Sequence, residues 1–520
     1  MSGPGGLLAR IKRLVMPSGD GVGERVVKGG MWVGALNVSD RLLQIILLIV
    51  MGRLLGPEAL GLMGIALVAV SGLRQFSNLG LSSSLIYNRE ENVDDMLNTA
   101  WALQIGRGAL LAGVLYLAAP FIGNGIFSEP EAVPLLRVIG FSQLFLGLRN
   151  PATVYFQKDL EFEKQFVYVL SGSVIQFVFA IWYAYTYGTV WALVLGYVIS
   201  DFVRMLVSYL MHDFRPGIEF DLDHAKEIVN YGKWITATSI LYFLYNEGDD
   251  IVVGALVSTT ALGLYRYAYQ LSNAPATEVT HVISSVTFPA YSKIQDNVRQ
   301  LRNGYFQTLQ VTTFISFPMS MGIIAVSPAF IAAFLGEEWL PMVLSMQILA
   351  VYGMMRSMMA TIGPVFKSIG RPDLVAKFSF IRVVFLAALV PTAILYGPEL
   401  SERFLGVGLS GIEMTSLVIV AVQFFPMMPL DLYFLVREIE TTWWRIIREV
   451  SYPFVASLLM FAAVVAAGTA VDPALPALGV LVVQVLVGVV AYALAALVLD
   501  RGFGWGLEQN LRNVVSAVNG

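Results

Sequence analysis

Residues 30–62 read GMWVGALNVSDRLLQIILLIVMGRLLGPEALGL, and this stretch decides the class of fold. At a rise of about 1.5 Å per residue, residues 32–52 reach across about 30 Å of hydrocarbon. Gly56-Pro57 then breaks the run, and a second apolar segment follows over 60–86. A span, a short turn and a returning span make a membrane hairpin. Outward from it, similar runs recur as far as Leu499, and the composition agrees. Of 520 residues, 57% are hydrophobic and 13% charged, with mean hydropathy +0.69. A soluble chain carries about 25% charged residues, so this one lacks the charge to coat a globular surface. Cys is absent and His is limited to His212, His224 and His281, which excludes disulfides, thiolate chemistry and Cys/His metal sites. Neither a metal nor a cofactor is expected, and a net charge of −4 gives no reason for a nucleic-acid partner.

The apolar runs fall at 32–52, 60–86, 99–122, 133–156, 166–186, 189–211, 229–256, 260–290, 305–334, 340–366, 378–397, 405–430, 450–470 and 474–499. The expected fold is therefore an all-α membrane protein of about 14 transmembrane helices. Segments 60–86 and 260–290 exceed a simple span and must tilt, kink or project. Residues 5–16 read either as an amphipathic helix on the membrane surface or as a frayed tail.

Charge tests this count independently. With the N-terminus inside, the cytoplasmic segments hold 22 of the 33 Lys and Arg, while the outer loops hold only Arg53 and Arg403. That asymmetry is what the positive-inside rule requires, and it places both termini in the cytoplasm. The expected organisation is a tail (1–31), an N-lobe of helices 1–6 (32–211), a linker (212–228) and a C-lobe of helices 7–12 (229–430). A loop with helices 13 and 14 (431–499) and a cytoplasmic tail (500–520) complete it. No extramembrane domain is expected.

A shift of 202 residues lays the start of the chain on its middle: Trp32 on Trp234, Gly52 on Gly254, Ala59-Leu60-Gly61-Leu62 on Ala261-Leu262-Gly263-Leu264, and Ser82-Ser83 on Ser284-Ser285. Six spans lie within that shift, so the copies share one orientation. Parallel repeats of this kind are related by an axis along the membrane normal, with a substrate path between the lobes as the usual consequence.

The run from Gly52 to Gly61, followed by Phe76-Ser-Asn-Leu-Gly-Leu-Ser-Ser-Ser-Leu-Ile86, resembles the opening of Wzx-type polysaccharide transporters. So do Arg149-Asn-Pro151, Phe156 to Phe162, Asp250-Ile-Val-Val-Gly254, Leu262 to Tyr265, Phe288 to Asp296, Gly336-Glu-Glu-Trp339 and Gly370-Arg-Pro372. The resemblance covers roughly residues 25–440. It implies a lipid-linked oligosaccharide flippase of the multidrug/oligosaccharidyl-lipid/polysaccharide (MOP) exporter superfamily. Such a protein has two parallel-repeat six-helix lobes plus two C-terminal helices, a central cavity and alternating access. It also implies an oligosaccharide on a polyprenyl phosphate or pyrophosphate carrier as substrate, membrane lipids as surroundings, and the polysaccharide assembly machinery as a further candidate partner. The expected location is the plasma (inner) membrane. One departure is local: the second copy turns at Val257-Ser-Thr-Thr-Ala261, where the family more often has a Gly-Pro-like turn.

Nine Arg fall within the spans. A cation at the bilayer centre costs about 2.5 kcal/mol or more, so each faces protein or a wet cavity. Arg149, Arg204 and Arg382 lie near the cytoplasmic ends and can snorkel, and Asp201 with Arg204 at i, i+3 can neutralise each other. Arg41 and Arg74 sit level in the first lobe, and Arg356 is mid-span in Met354-Met-Arg-Ser-Met-Met359, all without a sequence-near partner. Guanidinium binds phosphate oxygens in bidentate fashion, so Arg41, Arg74, Arg356 and Arg266 are the candidate substrate contacts, with carbonyls of kinked helices as the structural alternative. Arg266 has a second alternative, an ion pair with Asp250. Glu247, Asp249 and Asp250 leave an acidic excess there and are candidates for ion coupling. The Met-rich stretch reads as lipid-facing or gap-filling. Tyr265-Arg-Tyr-Ala-Tyr269 reads as an interfacial aromatic belt or a sugar-stacking surface.

No nucleophile elbow, His-centred base or phosphate loop is present, so a transporter rather than an enzyme is expected. Two rivals stay open. A drug/cation antiporter of the same superfamily favours an acidic, aromatic cavity. A membrane glycosyltransferase or polysaccharide polymerase needs acid/base groups on substantial outer loops.

Overall fold

The computed structural model describes residues 22–78, 94–217, 220–471 and 475–503, and among them no strand occurs. The repeat pair Ser82-Ser83, most of the N-terminal tail and most of the C-terminal tail lie outside the described residues. The chain divides into two compact units, Met1–Phe243 and Leu244–Gly520.

In the first unit, α1 (Val22–Phe76) is broken at Gly56, whose φ of 73° and ψ of 173° belong to a region reserved for glycine. Pro57 follows at the start of the returning piece, where its missing N–H costs nothing. Next come α2 (Asp94–Pro120), which runs on into a π turn at Phe121–Ile126, then α3 (Ala132–Ile139), α4 (Phe141–Gly147), a 3-10 turn at Pro151–Val154 and α5 (Tyr155–Lys158). The expected straight span 133–156 is thus bent, by 76° between Ala132–Gly147 and Pro151–Lys158. Asn150 and Pro151 explain the bend. Proline cannot continue the ladder, and the Asn150 side chain accepts from Ala152 N at 3.0 Å and donates to Phe214 O at 2.8 Å.

Helices α6 (Phe162–Tyr187) and α7 (Trp191–Met211) pack against each other, and α6 also packs on α1. They are separated by Gly188 in the left-handed conformation, φ 63°, which ends α6 within one residue. Helix α4 packs on α2 at backbone distance. A Cβ on Gly108 would stand 2.5 Å from Gln143 O, and one on Gly147 would stand 2.5 Å from Gln104 O. Small residues let membrane helices approach in this way.

Helix α8 (Leu222–Leu256) starts in the first unit and ends in the second. The second unit continues with α9 (Thr259–Ile294), α10 (Val298–Phe334), a 3-10 segment at Glu337–Met342, α11 (Val343–Ala360), α12 (Ile362–Ser368) and α13 (Pro372–Leu405). Then follow α14 (Gly411–Val422), a π turn at Gln423–Met427, α15 (Met428–Glu438), α16 (Trp443–Ala470) and α17 (Ala477–Phe503). Ser258 separates α8 from α9 in extended conformation, and its side chain accepts from Ala261 N at 3.1 Å. Under the 202-residue shift Gly56 falls on Ser258, so both copies break at one register. Where the second copy departs from Gly-Pro, an N-cap serine does the same work.

Among the described residues, ten helices are long and apolar enough to cross a membrane, and the bent pair makes an eleventh. The expected number of fourteen is not reached by this measure, for two reasons. Helix α1 counts once although Gly56 divides it, and α8 and α9, of span length, carry Glu247, Asp249, Asp250 and Arg266 and are not among the ten. Leu117 and Leu210 are 79% and 84% exposed, the outward apolar surface of a multi-pass membrane protein. Met354, Met358 and Met359 are buried with Tyr305 and Phe366 in the core of the second unit, so they fill gaps rather than face lipid.

Candidate functional site

Polar groups gather at one place in the first unit. Asp201, on α7, is 6% exposed in its side chain. Its Oδ1 accepts from Arg149 Nη2 at 2.6 Å and its Oδ2 from Arg74 Nη2 at 3.2 Å, with Arg204 Nη1 at 3.9 Å. Arg74 Nε also donates to Gln143 Oε1 at 2.9 Å, and its guanidinium lies 5.7 Å from the Tyr197 ring centre. Arg107 joins from α2, donating to Ser77 Oγ and to the Arg74 carbonyl, each at 3.0 Å. Among the described residues, three guanidiniums therefore share the Asp201 carboxylate, and a fourth, that of Arg107, is joined to the cluster through Ser77 and the Arg74 carbonyl. The Nε atoms of Arg149 and Arg204 are buried with no acceptor among the described residues.

These positions correct several expectations. Arg74 is not unpartnered: Asp201 reaches it from 127 residues away, a distance at which sequence spacing says nothing. Arg204 does pair with Asp201 across i, i+3, at 3.9 Å, but Arg149 and Arg74 hold the same carboxylate more closely. The side chains of Arg149 and Arg204 are 18% and 23% exposed and bond Asp201 and Ser173 within the unit. Arg41 Nη1 meets Gln44 Oε1 at 3.5 Å. Asp40 beside it accepts from Ser173 at 2.6 Å and from Gln44 at 2.7 Å rather than pairing with an arginine at those distances. Ser173 in turn accepts from Arg204 at 3.0 Å, which ties α1 to the cluster through α6.

In the second unit the structure brings Glu247, Asp250 and Arg266 together. Arg266 Nη1 donates to Glu247 at 3.0 Å and also to Asp250, so the ion-pair alternative is the one observed. Asp249 accepts from the Tyr265 hydroxyl. Three carboxylates stand against one guanidinium, as expected. The tyrosine cluster is a correction. Tyr265 is fully buried and Tyr267 is 8% exposed, its ring centre 4.5 Å from that of Trp339 in a tilted pair, so the cluster is neither an interfacial belt nor an open sugar platform. Burial is possible because each hydroxyl or ring finds a partner.

Arg356, the third expected contact, donates from Nη1 to Tyr269 Oη at 3.2 Å and lines a cavity of about 200 Å³. Arg382 lines it too, donating to Tyr245 Oη at 2.8 Å and standing 3.9 Å from Asp431. Sequence reasoning paired Asp201 only with Arg204, missed Asp431, Gln423 and Tyr245, and set Arg382 aside as snorkelling. One signal was available for the first unit: Asp201 is the one carboxylate in the expected span 189–211.

Comparisons with known proteins agree with this picture. The chain is 27% identical over 370 residues to the lipopolysaccharide biosynthesis protein WzxC of Escherichia coli (strain K12), covering 71% of this chain and 75% of that one. It is 24% identical over 361 residues to the teichuronic acid biosynthesis protein TuaB of Bacillus subtilis (strain 168), covering 69% and 74%. The fold is similar to that of the lipid II flippase MurJ in its inward closed conformation, with a TM-score of 0.70 at 15% identity, covering 90% of this chain and 98% of that one. The family described as "Polysaccharide biosynthesis protein" matches residues 50–344, more than half of the chain, and the protein belongs to that family.

Proposed function

We propose that the protein is a flippase that carries a lipid-linked oligosaccharide, on a polyprenyl phosphate or pyrophosphate, from the cytoplasmic to the outer leaflet for polysaccharide export. The observation that carries this reading is the first unit's cluster, where, among the described residues, Arg74, Arg149 and Arg204 meet the carboxylate of Asp201 and Arg107 adds a fourth guanidinium beside Arg74. An excess of positive charge at membrane depth is costly without an anion to meet it. A carrier phosphate is such an anion, and bidentate guanidinium contacts suit it. Arg41 and Arg356 belong to the same proposed path. Transport makes and breaks no bond, so the protein acts as a transporter and not as an enzyme. Outward movement of a negative headgroup is assisted by an interior-negative potential, by about 2.3 kcal/mol per charge per 100 mV.

The same reading takes residues 32–211 and 229–430 as two six-helix lobes, 431–499 as two further helices, and both termini as cytoplasmic. The charge asymmetry and the shared break at Gly56 and Ser258 support it. Glu247, Asp249 and Asp250 are its coupling-ion site, and Glu247→Gln should alter ion dependence more than substrate affinity. An excess of arginine disfavours the cation-antiporter rival.

Leaflet-resolved flipping of a fluorescent polyprenyl-diphosphate oligosaccharide in proteoliposomes tests the proposal. Arg74→Lys keeps the charge but loses the fork, so the rate should fall, and Arg74→Gln should lower it further. Wild-type protein that leaves this lipid in its original leaflet while expelling organic cations would overturn the reading.

A further inference from the structure

Helix α10 carries two prolines in its interior, Pro318 and Pro328. Proline lacks the N–H that the carbonyl four residues earlier would accept, so the carbonyls released are those of Phe314 and Ile324. In hydrocarbon such a group cannot turn to water, and a neighbouring helix must satisfy it. Both carbonyls meet a side chain from another helix. Tyr492, on α17, donates its hydroxyl to Phe314 O at 2.7 Å, and its ring centre lies 5.4 Å from that of Phe314. Gln347, on α11, donates Nε2 to Ile324 O at 3.0 Å, where Ser327 of α10 itself adds a longer bond of 3.3 Å.

A helical proline does not bring such a donor with it. Pro391 and Pro398 on α13 and Pro453 on α16 release the carbonyls of Ala387, Ile394 and Glu449, and among the described residues no side chain donates to these. The donors single out α10.

Their placement divides that helix in two. Before Pro318, Gln310 and Phe314 stand one turn apart on one face, and Gln310 donates to the buried Glu449 of α16 at 2.6 Å. That half is therefore tied to both α16 and α17. After Pro318, the Gln347 bond ties the helix to α11. Beside the proline, the hydroxyls of Ser316 and Ser357 meet at 2.7 Å, fully buried; either one can donate, so this bond can reorient as the backbone turns. A helix bends most readily where its ladder lacks a rung. Bending at Pro318 swings the Phe314 carbonyl relative to α17 and lengthens the Tyr492 bond.

We infer that Pro318 is a hinge of the second unit and that the Tyr492 hydroxyl is its latch, holding α10 in the conformation seen here until the bond to Phe314 O breaks. Helix α17 thus governs a motion of α10 as well as crossing the membrane. The inference goes beyond the flippase reading and does not depend on it.

Hydrogen exchange read by mass spectrometry on the full-length protein in nanodiscs measures local opening around residues 310–325. Tyr492→Phe keeps the ring on Phe314 and removes only the donor, so it should fold, and exchange in this segment should accelerate about tenfold. Pro318→Ala supplies the missing N–H to Phe314 O. In that background Tyr492→Phe should change exchange less than twofold, a non-additivity that a packing role for the tyrosine would not produce. Unchanged exchange in Tyr492→Phe alone, equal acceleration in both backgrounds, or acceleration spread evenly through α16 and α17 would each overturn the latch. Latch behaviour in a protein that fails to flip the lipid would confirm the hinge and count against the flippase reading alone.

Discussion

Replacing Asp201 by Asn removes the carboxylate that, among the described residues, holds Arg74, Arg149 and Arg204, while keeping the side chain's shape. Its oxygens lie 2.6 Å from Arg149, 3.2 Å from Arg74 and 3.9 Å from Arg204. A pair at about 4 Å is worth about 4 kcal/mol in gross attraction at an effective dielectric of about 20. Desolvation and repulsion among the guanidiniums oppose that gain. The net cost of removing one partner of a buried pair is about 3–5 kcal/mol. The arginine side chains are 18–29% exposed, so water screens part of the effect, and the lower end applies. A loss of about 3 kcal/mol shifts the folding equilibrium roughly 100-fold, at about 1.4 kcal/mol per decade. Denaturant unfolding of the purified protein in micelles measures it, alongside binding of a fluorescent polyprenyl diphosphate. Stability should fall while binding tightens, because a competing anion has gone. Stability within about 0.5 kcal/mol of wild type, together with unchanged binding, would refute the idea that Asp201 organises the cluster.

Gly56→Ala places a side chain where φ is 73° and ψ is 173°, and should cost about 1–3 kcal/mol in a denaturation experiment; Ser258→Ala, which removes only a cap, should cost about 1 kcal/mol. Gly108→Ala drives a Cβ to within 2.5 Å of the Gln143 carbonyl, so α4 must shift, and melting should show a loss of about 1–3 kcal/mol. Single cysteines at Ser18 and Asn519 should resist an impermeant thiol reagent in intact cells, and labelling of either would invert the proposed orientation.

Apolar runs, charge asymmetry and the 202-residue register were legible in the sequence because each is a property of local or repeated spacing. The break at Ser258 could be placed there but not explained, since a capping bond depends on backbone geometry. Arg266 with Asp250 was legible as one alternative because the hairpin turn fixes which residues lie level. Arg74 with Asp201 was not, since the contact joins α1 to α7 and only packing selects it. The bend after Gly147 was hidden for a related reason: Asn150-Pro151 permits either a kinked span or a loop.

The bend after Gly147 has a further electrostatic consequence. Arg149 lies two residues beyond the last turn of α4, at the carbonyl end of that helix, where Leu148 N caps Leu144 O and the Tyr209 hydroxyl caps Leu148 O. A helix end of that sense behaves as a fractional negative charge, about half a unit at most, and less for a helix this short. Arg149 therefore feels a second, fixed anion besides Asp201, built from backbone dipoles that no side-chain exchange removes. Arg74 lies within the C-terminal turn of α1, and there the Arg74 carbonyl is already engaged by Arg107. The two guanidiniums on Asp201 are thus unequal: Arg149, 18% exposed, is anchored to the scaffold, and Arg74, 29% exposed, is the readier to exchange one oxyanion for another.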